Sequence, residues 1–576
     1  MFMGGVYEVY INEDELTKID TMRDIRMGTQ DFKKVRDSDW LYVDKTGLIH
    51  DVLFGPSEVT LFTRPRRFGK SMNLSMLDAF FNLEYPEDNT WFDGLAVTKC
   101  PKCMAHKNKH PVIHLDLRGI SSKDIDRFVY DLSFAISTLF QCHGYLLDSD
   151  LVFDADKEDF MKCRDRKADL ISLRWSLLLL SRMLERHHGQ RVVILIDEYD
   201  DAVQNAFGTE MQKTVLEIIG DILSYALKGN NSLEFAVITG VTQIPQESLF
   251  SGFNNILVNN IFSSNSDEYF GFTGAEVREL LGEYERLDKL DEIKSWYDGY
   301  RFGNADLYNP WSILQYVSNG FKPGKYWAGT STNGIIDTLL ENADEEVFKD
   351  LRTLSQGGTI FKYVDPAVTF DSIMHGTDNI YSMMLVSGYL TAVSEGGGYR
   401  LSIPNMEMYK VFGHFLDCYT KSEIVPPNNT WDTNKLSEAI INNRTDEVGS
   451  LLYELFSGTL GSAMLVNEHV YQAFITGLLM ELSGLYRVTA EFESGNGRYD
   501  IMLERRSGEG PNVLIELKRC PPDANQESTE SMAYSALEQI RQRDYTHGLT
   551  GRTLIYGIAF RGKNPVVVSD ILEISG

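Results

Sequence analysis

No apolar run in the chain approaches the roughly 18–20 residues that a membrane-spanning helix requires. The opening stretch, MFMGGVYEVYINEDEL, lacks the basic start and apolar middle of a secretory signal. Cysteine is scarce: six in 576 residues do not make a disulfide framework, which favours a reducing compartment and a cytoplasmic protein with no membrane partner. Positive charge is in deficit, with 55 Lys+Arg against 83 Asp+Glu and a formal net charge of −28. Such a chain repels polyanions at long range, so any contact with nucleic acid must use a local groove. From Ile441 onward the balance is 12 basic against 18 acidic residues, the part least hostile to DNA. Internal repeats and low-complexity tracts are also missing.

What is present is a soluble-type composition, 43% hydrophobic and 24% charged, in a chain long enough for two to four domains. Four short apolar runs, Val59-Thr60-Leu61-Phe62-Thr63, PVIHLDL (111–117), RVVILID (191–197) and LEFAVITG (233–240), read as strands buried on both faces. Amphipathic stretches at 170–189 and 211–227 separate them, which predicts an α/β parallel sheet with ligands at the strands' carboxyl ends.

The chemistry gathers at those ends. After the first run comes RPRRFGKSMNLSMLDAFF (64–81), in which Gly69-Lys70-Ser71 opens a helix. Backbone N–H groups at a helix start, a lysine point charge and a hydroxyl are what a magnesium-bound polyphosphate needs. The glycine that normally opens such a loop is missing; its place is held by Arg64, with Arg66, Arg67 and Phe68 following. Asp197, ending the third run, is placed to hold Mg²⁺ with Ser71, and Glu198 to orient or deprotonate the attacking water. Thr239, ending the fourth run, is placed as a polar sensor of the γ-phosphate. Asp200 and Asp201 are expected to face solvent. Gly-Lys-Ser alone is a weak signal; paired with VVILIDEYD in this order it is a strong one.

These segments, with MGTQDFKKVRDSDWLYVDKTGLIHDVL upstream and WYDGYRFG, LYNPWSIL and YWAGTS downstream, resemble the predicted AAA-ATPase-like family. The resemblance covers roughly 28–330. It implies ATP as ligand and makes the arginine-rich loop mouth a family trait. The chain departs from the pattern at Gln243, where relatives often carry an arginine.

Far downstream, GNGRYDIMLERRSGEGPNVLIELKR (495–519) reads as strand, turn and strand. Alternation puts Glu516 and Lys518 on one face, and hairpin pairing brings Asp500, leading its strand, opposite Glu516. Two carboxylates and an ammonium on one patch suit a divalent ion whose bound water attacks a phosphodiester. This pattern resembles the PD-(D/E)XK phosphodiesterase superfamily, which further implies an acid on a preceding helix, here Glu468, and Gln539 on a following one. Strand 553–560 is expected to complete the sheet.

The fold class expected is α/β: a P-loop domain of the ASCE/AAA type, a mainly helical connecting region and a restriction-endonuclease-like C-terminal domain. The boundaries are an extension at 1–27, the ATPase-like domain at 28–330, the connecting or lid region at 331–440 and the nuclease-like domain at 441–576. The function expected is an ATP-driven switch coupled to a Mg²⁺-dependent nuclease, with Mn²⁺ as a substitute ion and DNA ahead of RNA as substrate. The alternative is a nucleotide-gated module that binds nucleic acid or protein without cutting. A homo-oligomer and a partner protein are both left open. Cys100, Cys103, His106 and His110 have zinc-ligand chemistry but crowded spacing, and are read as an ordinary loop.

Overall fold

A computed structural model describes residues 23–243, 256–327, 345–355, 357–365, 378–412, 433–459, 468–479, 482, 485–494, 497–506, 510–521, 524–543 and 549–574. Among them, no helix is long and apolar enough to cross a membrane. The chain forms two compact units: Met1–Asp337 with Tyr363–Val393, and Thr338–Lys362 with Ser394–Gly576. Within the stretch read as a connecting region at 331–440, residues 331–337 and 363–393 fall in the first unit and 338–362 and 394–440 in the second.

The first unit is built on a parallel sheet of β1 (Val59–Thr63), β2 (Val112–Asp116), β3 (Val192–Asp197), β4 (Leu233–Gly240) and β5 (Ile256–Asn259), in the order β2-β3-β4-β1-β5. The four runs read from sequence are β1 to β4. The fifth, ILVN, is too short and too closely flanked by asparagines to stand out by pattern. Every residue of β3 is buried, as both faces of a parallel sheet require. Phe62, Val193, Leu195 and Val237 share a core with Leu74, Met76, Leu77 and Phe81 of helix α2 (Lys70–Phe81), which follows β1. Ahead of it, α1 (Phe32–Asp37) starts at Asp31, whose carboxylate accepts from the N–H groups of Lys33 and Lys34. Helices α3 (Ile125–Cys142), α4 (Leu170–His188) and α5 (Gln212–Leu227) complete the alternation, and β6 (Phe272–Thr273), β7 (Tyr300–Phe302) and β8 (Ala305–Tyr308) form a small antiparallel sheet before α6 (Pro310–Ser318).

Three short strands follow, β9 (Ile360–Lys362), β10 (Thr391–Glu395) and β11 (Gly398–Ser402). The second unit's main sheet runs β12 (Tyr486–Ser494), β13 (Gly497–Arg505), β14 (Asn512–Arg519), β15 (Gly551–Arg561) and β16 (Asn564–Ile574) in sequential order. Only β14 and β15 pair in parallel. Two expectations need correction. Asp500 lies inside β13 rather than at its head, and β15 does not complete the sheet, because β16 pairs along its whole length. Helices α7 (Glu468–Leu479) and α8 (Gln526–Gln542) belong to the same unit, and Leu537 and Ile540 of α8 pack on Leu514 and Ile555.

Helix α8 approaches β15 closely at Gly557, where an added Cβ would lie 2.1 Å from the carbonyl oxygen of Ala533. Gly557→Ala is expected to lower the stability of the second unit by about 1–3 kcal/mol through forced separation of helix and strand. Denaturant unfolding of the full chain, followed by hydrogen exchange at β15, measures it; unchanged protection there would contradict the packing.

Candidate functional site

The loop after β1 is held from below by the residue that replaces its missing glycine. Arg64 is wholly buried and donates to the carbonyls of Thr63 (2.9 Å) and Asn259 (2.8 Å) and to Asn259 Oδ1 (2.7 Å). The rings of Phe270 and Phe302 lie 5.1 and 5.4 Å from the guanidinium, and burial lowers its pKa to about 9. Arg64 therefore acts as a strut between β1 and β5, which corrects its expected place beside the phosphates. Phe68 is likewise an anchor, fully buried with its ring 5.0 Å from those of Tyr300 and Phe302. Trp327 Nε1 donates to the carbonyl of Arg66 (3.1 Å), and Gly388 lies so close that an added Cβ would be 3.0 Å from the Pro65 side chain.

The turn into α2 uses a left-handed Gly69 (φ +85°), which leaves Lys70 and Ser71 at the helix start. Lys70 is 3% exposed; its ammonium donates to the carbonyls of Arg64 (3.2 Å) and Pro65 (3.3 Å) and lies 3.6 Å from Glu198 Oε1. Asp197, 2% exposed, accepts from Thr239 Oγ1 and from the N–H of Glu198. Glu198 has a left-handed backbone (φ +49°), unusual for a non-glycine residue, and burial holds its carboxyl above the ordinary range despite Lys70. The sheet order thus brings Lys70, Ser71, Asp197, Glu198 and Thr239 to one end of the sheet, as read from sequence.

The acidic pair beyond it is a correction. Asp200 is fully buried and accepts from the N–H groups of Val241 and Thr242, from Thr242 Oγ1 (2.6 Å) and from Gln204 Nε2 (2.7 Å). Asp201 accepts from the N–H of Gly119 (2.8 Å) and lies 3.9 Å from Arg66. Both carboxylates hold loops in place; Asp200 is sealed from solvent, while Asp201 is half-buried at the edge of the cavity.

A cavity of about 510 Å³ opens on this loop, lined by Arg66, Arg67, Gly69, Lys70, Ser71, Arg118 and Glu198. Its other wall comes from residues that pattern reading left unassigned: Met27 to Gln30, Trp40, Tyr42, Phe272 and Trp311. Arg67 stacks over Trp311 at 4.1 Å, and its pKa is lowered by burial and by the neighbouring Arg118 and Arg66. Cationic side chains and aromatic rings line the same cavity, the two kinds of surface a nucleotide demands. The signal for the second wall was present in MGTQ and DWLY, but no phosphate-type spacing marks such residues.

In the second unit, Asp500 Oδ2 accepts from the N–H of Leu517 (2.7 Å), which fixes it beside Glu516. Glu516 is 2% exposed; its Oε1 accepts from Lys518 Nζ (3.0 Å) and from Gln539 Nε2. Burial, then the Asp500 charge, raises its pKa to about 7. Its other oxygen, Oε2, is buried with no hydrogen-bond partner among the described residues. An orphaned carboxylate oxygen next to a second carboxylate fits a hard divalent ion. Glu468 is the first residue of α7, and its side chain lies outside the described atoms. Among the described residues, no group of three or more His, Cys, Asp or Glu is gathered to hold a metal. In the first unit, Cys100 and Cys103 are joined as a disulfide, with the rings of His106 and His110 stacked nearby along the chain.

The first unit is thus an α/β fold on a parallel sheet with a loop-to-helix turn at the strands' carboxyl ends, and the second carries a mixed sheet. Residues 26–250 match the family model for a predicted AAA-ATPase, and residues 466–569 match that of the PD-(D/E)XK nuclease superfamily. The chain thus carries an AAA-ATPase-like domain and a PD-(D/E)XK superfamily domain. A similar curated protein is the "Uncharacterized protein in vnfD 5'region" of Azotobacter chroococcum mcd 1, 28% identical over 392 residues, covering 66% of this chain and 67% of that protein. The Walker-type ATPase PABY2304 of Pyrococcus abyssi is a similar solved structure, 15% identical with a TM-score of 0.37, covering 66% of this chain and 97% of that one.

Asp200→Ala is expected to destabilise the first unit by about 2–4 kcal/mol, because it strands buried N–H donors of Val241 and Thr242. A solvent-facing aspartate would give a change within about 0.5 kcal/mol in denaturant unfolding.

Proposed function

We propose that the protein is an ATP-binding and ATP-hydrolysing switch whose C-terminal domain is a metal-dependent phosphodiesterase acting on nucleic acid, DNA ahead of RNA. The observation that carries the reading is the pairing of two incomplete sites. One is a cavity with more cationic than anionic neighbours at a helix start; the other is a carboxylate pair with an unsatisfied buried oxygen.

In the first site, Lys70 releases the loop carbonyls and turns to the β- and γ-phosphates, where the N–H groups at the start of α2 also point. Ser71 and Asp197 would hold Mg²⁺, which, when bound, neutralises developing charge on the phosphates. Glu198 orients the attacking water and accepts its proton, a task suited to a carboxyl whose burial has made it more basic. Thr239, bonded to Asp197, ties the sensor strand to the metal ligand. In the second site, Asp500 and Glu516 would hold Mg²⁺ or Mn²⁺, which supplies an activated water when bound. Lys518 stabilises charge on the scissile phosphate, and Gln539 holds Glu516 in place.

A second reading keeps the nucleotide switch but makes the C-terminal domain a reader that binds nucleic acid or protein without cleavage. The net charge of −28 favours it, since free strands meet repulsion before reaching any groove.

One measurement tests the switch that both readings share, and a second separates them. Lys70→Ala is expected to weaken ATP binding roughly 10–100-fold, whereas Glu198→Gln keeps binding and slows turnover by roughly 10²–10⁴. Single- and double-stranded DNA and RNA are then incubated with Mg²⁺ or Mn²⁺, with and without ATP. Metal-dependent cuts that vanish in Asp500→Ala support the nuclease. ATP-dependent retention of uncut strands, equal in wild type and Asp500→Ala, supports the reader.

A further inference from the structure

The site contains a cation that none of the roles above employs. Arg118 follows β2, the strand beside β3, and its guanidinium sits among the groups expected to hold the metal. Its Nη2 lies 3.0 Å from Ser71 Oγ and 3.4 Å from Asp197 Oδ2, and Nη1 donates to Gln30 Oε1 (2.9 Å). The backbone on either side is fixed: the Arg118 N–H donates to Asp116 Oδ1 (2.9 Å) and the Gly119 N–H to Asp201 Oδ2 (2.8 Å). The side chain, in contrast, is 41% exposed and lines the cavity. It is thus a partly exposed guanidinium on a fixed stem, held only by side-chain partners at the surface of the cavity.

We propose that Arg118 is the cis-acting arginine of this ATPase, holding the metal's place between Ser71 and Asp197 until nucleotide arrives and then bonding the γ-phosphate. The inference rests on the ATP reading of the cavity. Two cations cannot share the space between one hydroxyl and one carboxylate, so entry of Mg²⁺ with ATP must expel the guanidinium. Displaced from Asp197, the guanidinium still has the Asp116 carboxylate 3.6 Å away, and the polyphosphate in the same cavity offers the greater concentration of negative charge. A forked donor matches two phosphoryl oxygens there, as a lysine cannot. During hydrolysis the water oxygen bonds to the γ-phosphorus while the bond to the bridging oxygen breaks, ADP keeps that electron pair, and Glu198 takes the water's proton. Arg118 stays protonated throughout and donates only hydrogen bonds to the transferred group. This supplies from the end of β2 the charge that Gln243 cannot supply after β4.

The test uses the full chain with Arg118→Ala, Arg118→Lys and Lys70→Ala, and reads binding of a fluorescent ATP analogue against Mg²⁺ concentration as well as single-turnover hydrolysis. For Arg118→Ala, the Mg²⁺ concentration giving half-maximal binding is expected to fall several-fold, because the competing cation is gone. Its hydrolysis rate at saturating Mg²⁺ and ATP is expected to drop about 10³-fold. Arg118→Lys, which keeps the charge but loses the fork, should retain a near wild-type Mg²⁺ midpoint and still hydrolyse at least tenfold more slowly. Hydrolysis by Arg118→Ala within tenfold of wild type, or an unmoved Mg²⁺ midpoint, overturns the assignment when Lys70→Ala has lost nucleotide. Undiminished binding by Lys70→Ala overturns the ATP reading beneath it instead.

Discussion

A charge removed from water must be met by something, and that requirement organises both halves of this protein. Arg64 is met by two backbone carbonyls, an amide oxygen and two aromatic faces, so the mouth of the phosphate loop is set by a buried guanidinium. Asp200 is met by the chain just past β4, which locks the sensor strand to the end of β3. Glu516 is met on one oxygen only. Arg64 keeps one buried nitrogen, Nε, without a partner and Asp200 is bonded on both oxygens, and both hold loops; Glu516 differs in being a carboxylate beside a second one, with an oxygen that a metal ion would engage.

This distinction also separates what could be read from sequence from what could not. Strands β1 to β4 were legible because uninterrupted β-branched runs admit few other readings. The meeting of Lys70, Ser71, Asp197 and Glu198 followed from their positions at strand ends. The hairpin geometry that sets Asp500 against Glu516 was equally plain, since alternation and a turn leave one register. By contrast, nothing in RPRRFGKS tells an arginine that faces phosphate from one that has turned under the loop. Arg64, Arg66 and Arg67 have the same chemistry, and only the position of Asn259 and two phenylalanines decides among them. Asp200 misled for a related reason: in DEYDD it looks like one more surface acid, and its partners lie some forty residues away. Arg118 was passed over because a single arginine after a strand carries no spacing signature.

The two candidate sites also differ in how far they are prepared. The phosphate loop is rigidly supported, with Phe68, Arg64 and Trp327 each pinning a different part of it. The cationic side chains that end in the cavity are held by their own bonds, Lys70 to the loop carbonyls and Arg67 over Trp311. In the C-terminal site, burial first and then the neighbouring Asp500 make a charged Glu516 costly, which favours whichever proton or metal ion relieves it.

Gly388 has a consequence for how the molecule can be divided. It packs on Pro65 with φ +90°, a combination that leaves no room for a side chain and little tolerance of another backbone shape. A polypeptide cut at residue 330 would include every group aimed at the triphosphate and yet expose the outer surface of the loop that presents them. The first compact unit is discontinuous along the chain, so a simple truncation that keeps all of it also keeps 338–362 of the second unit.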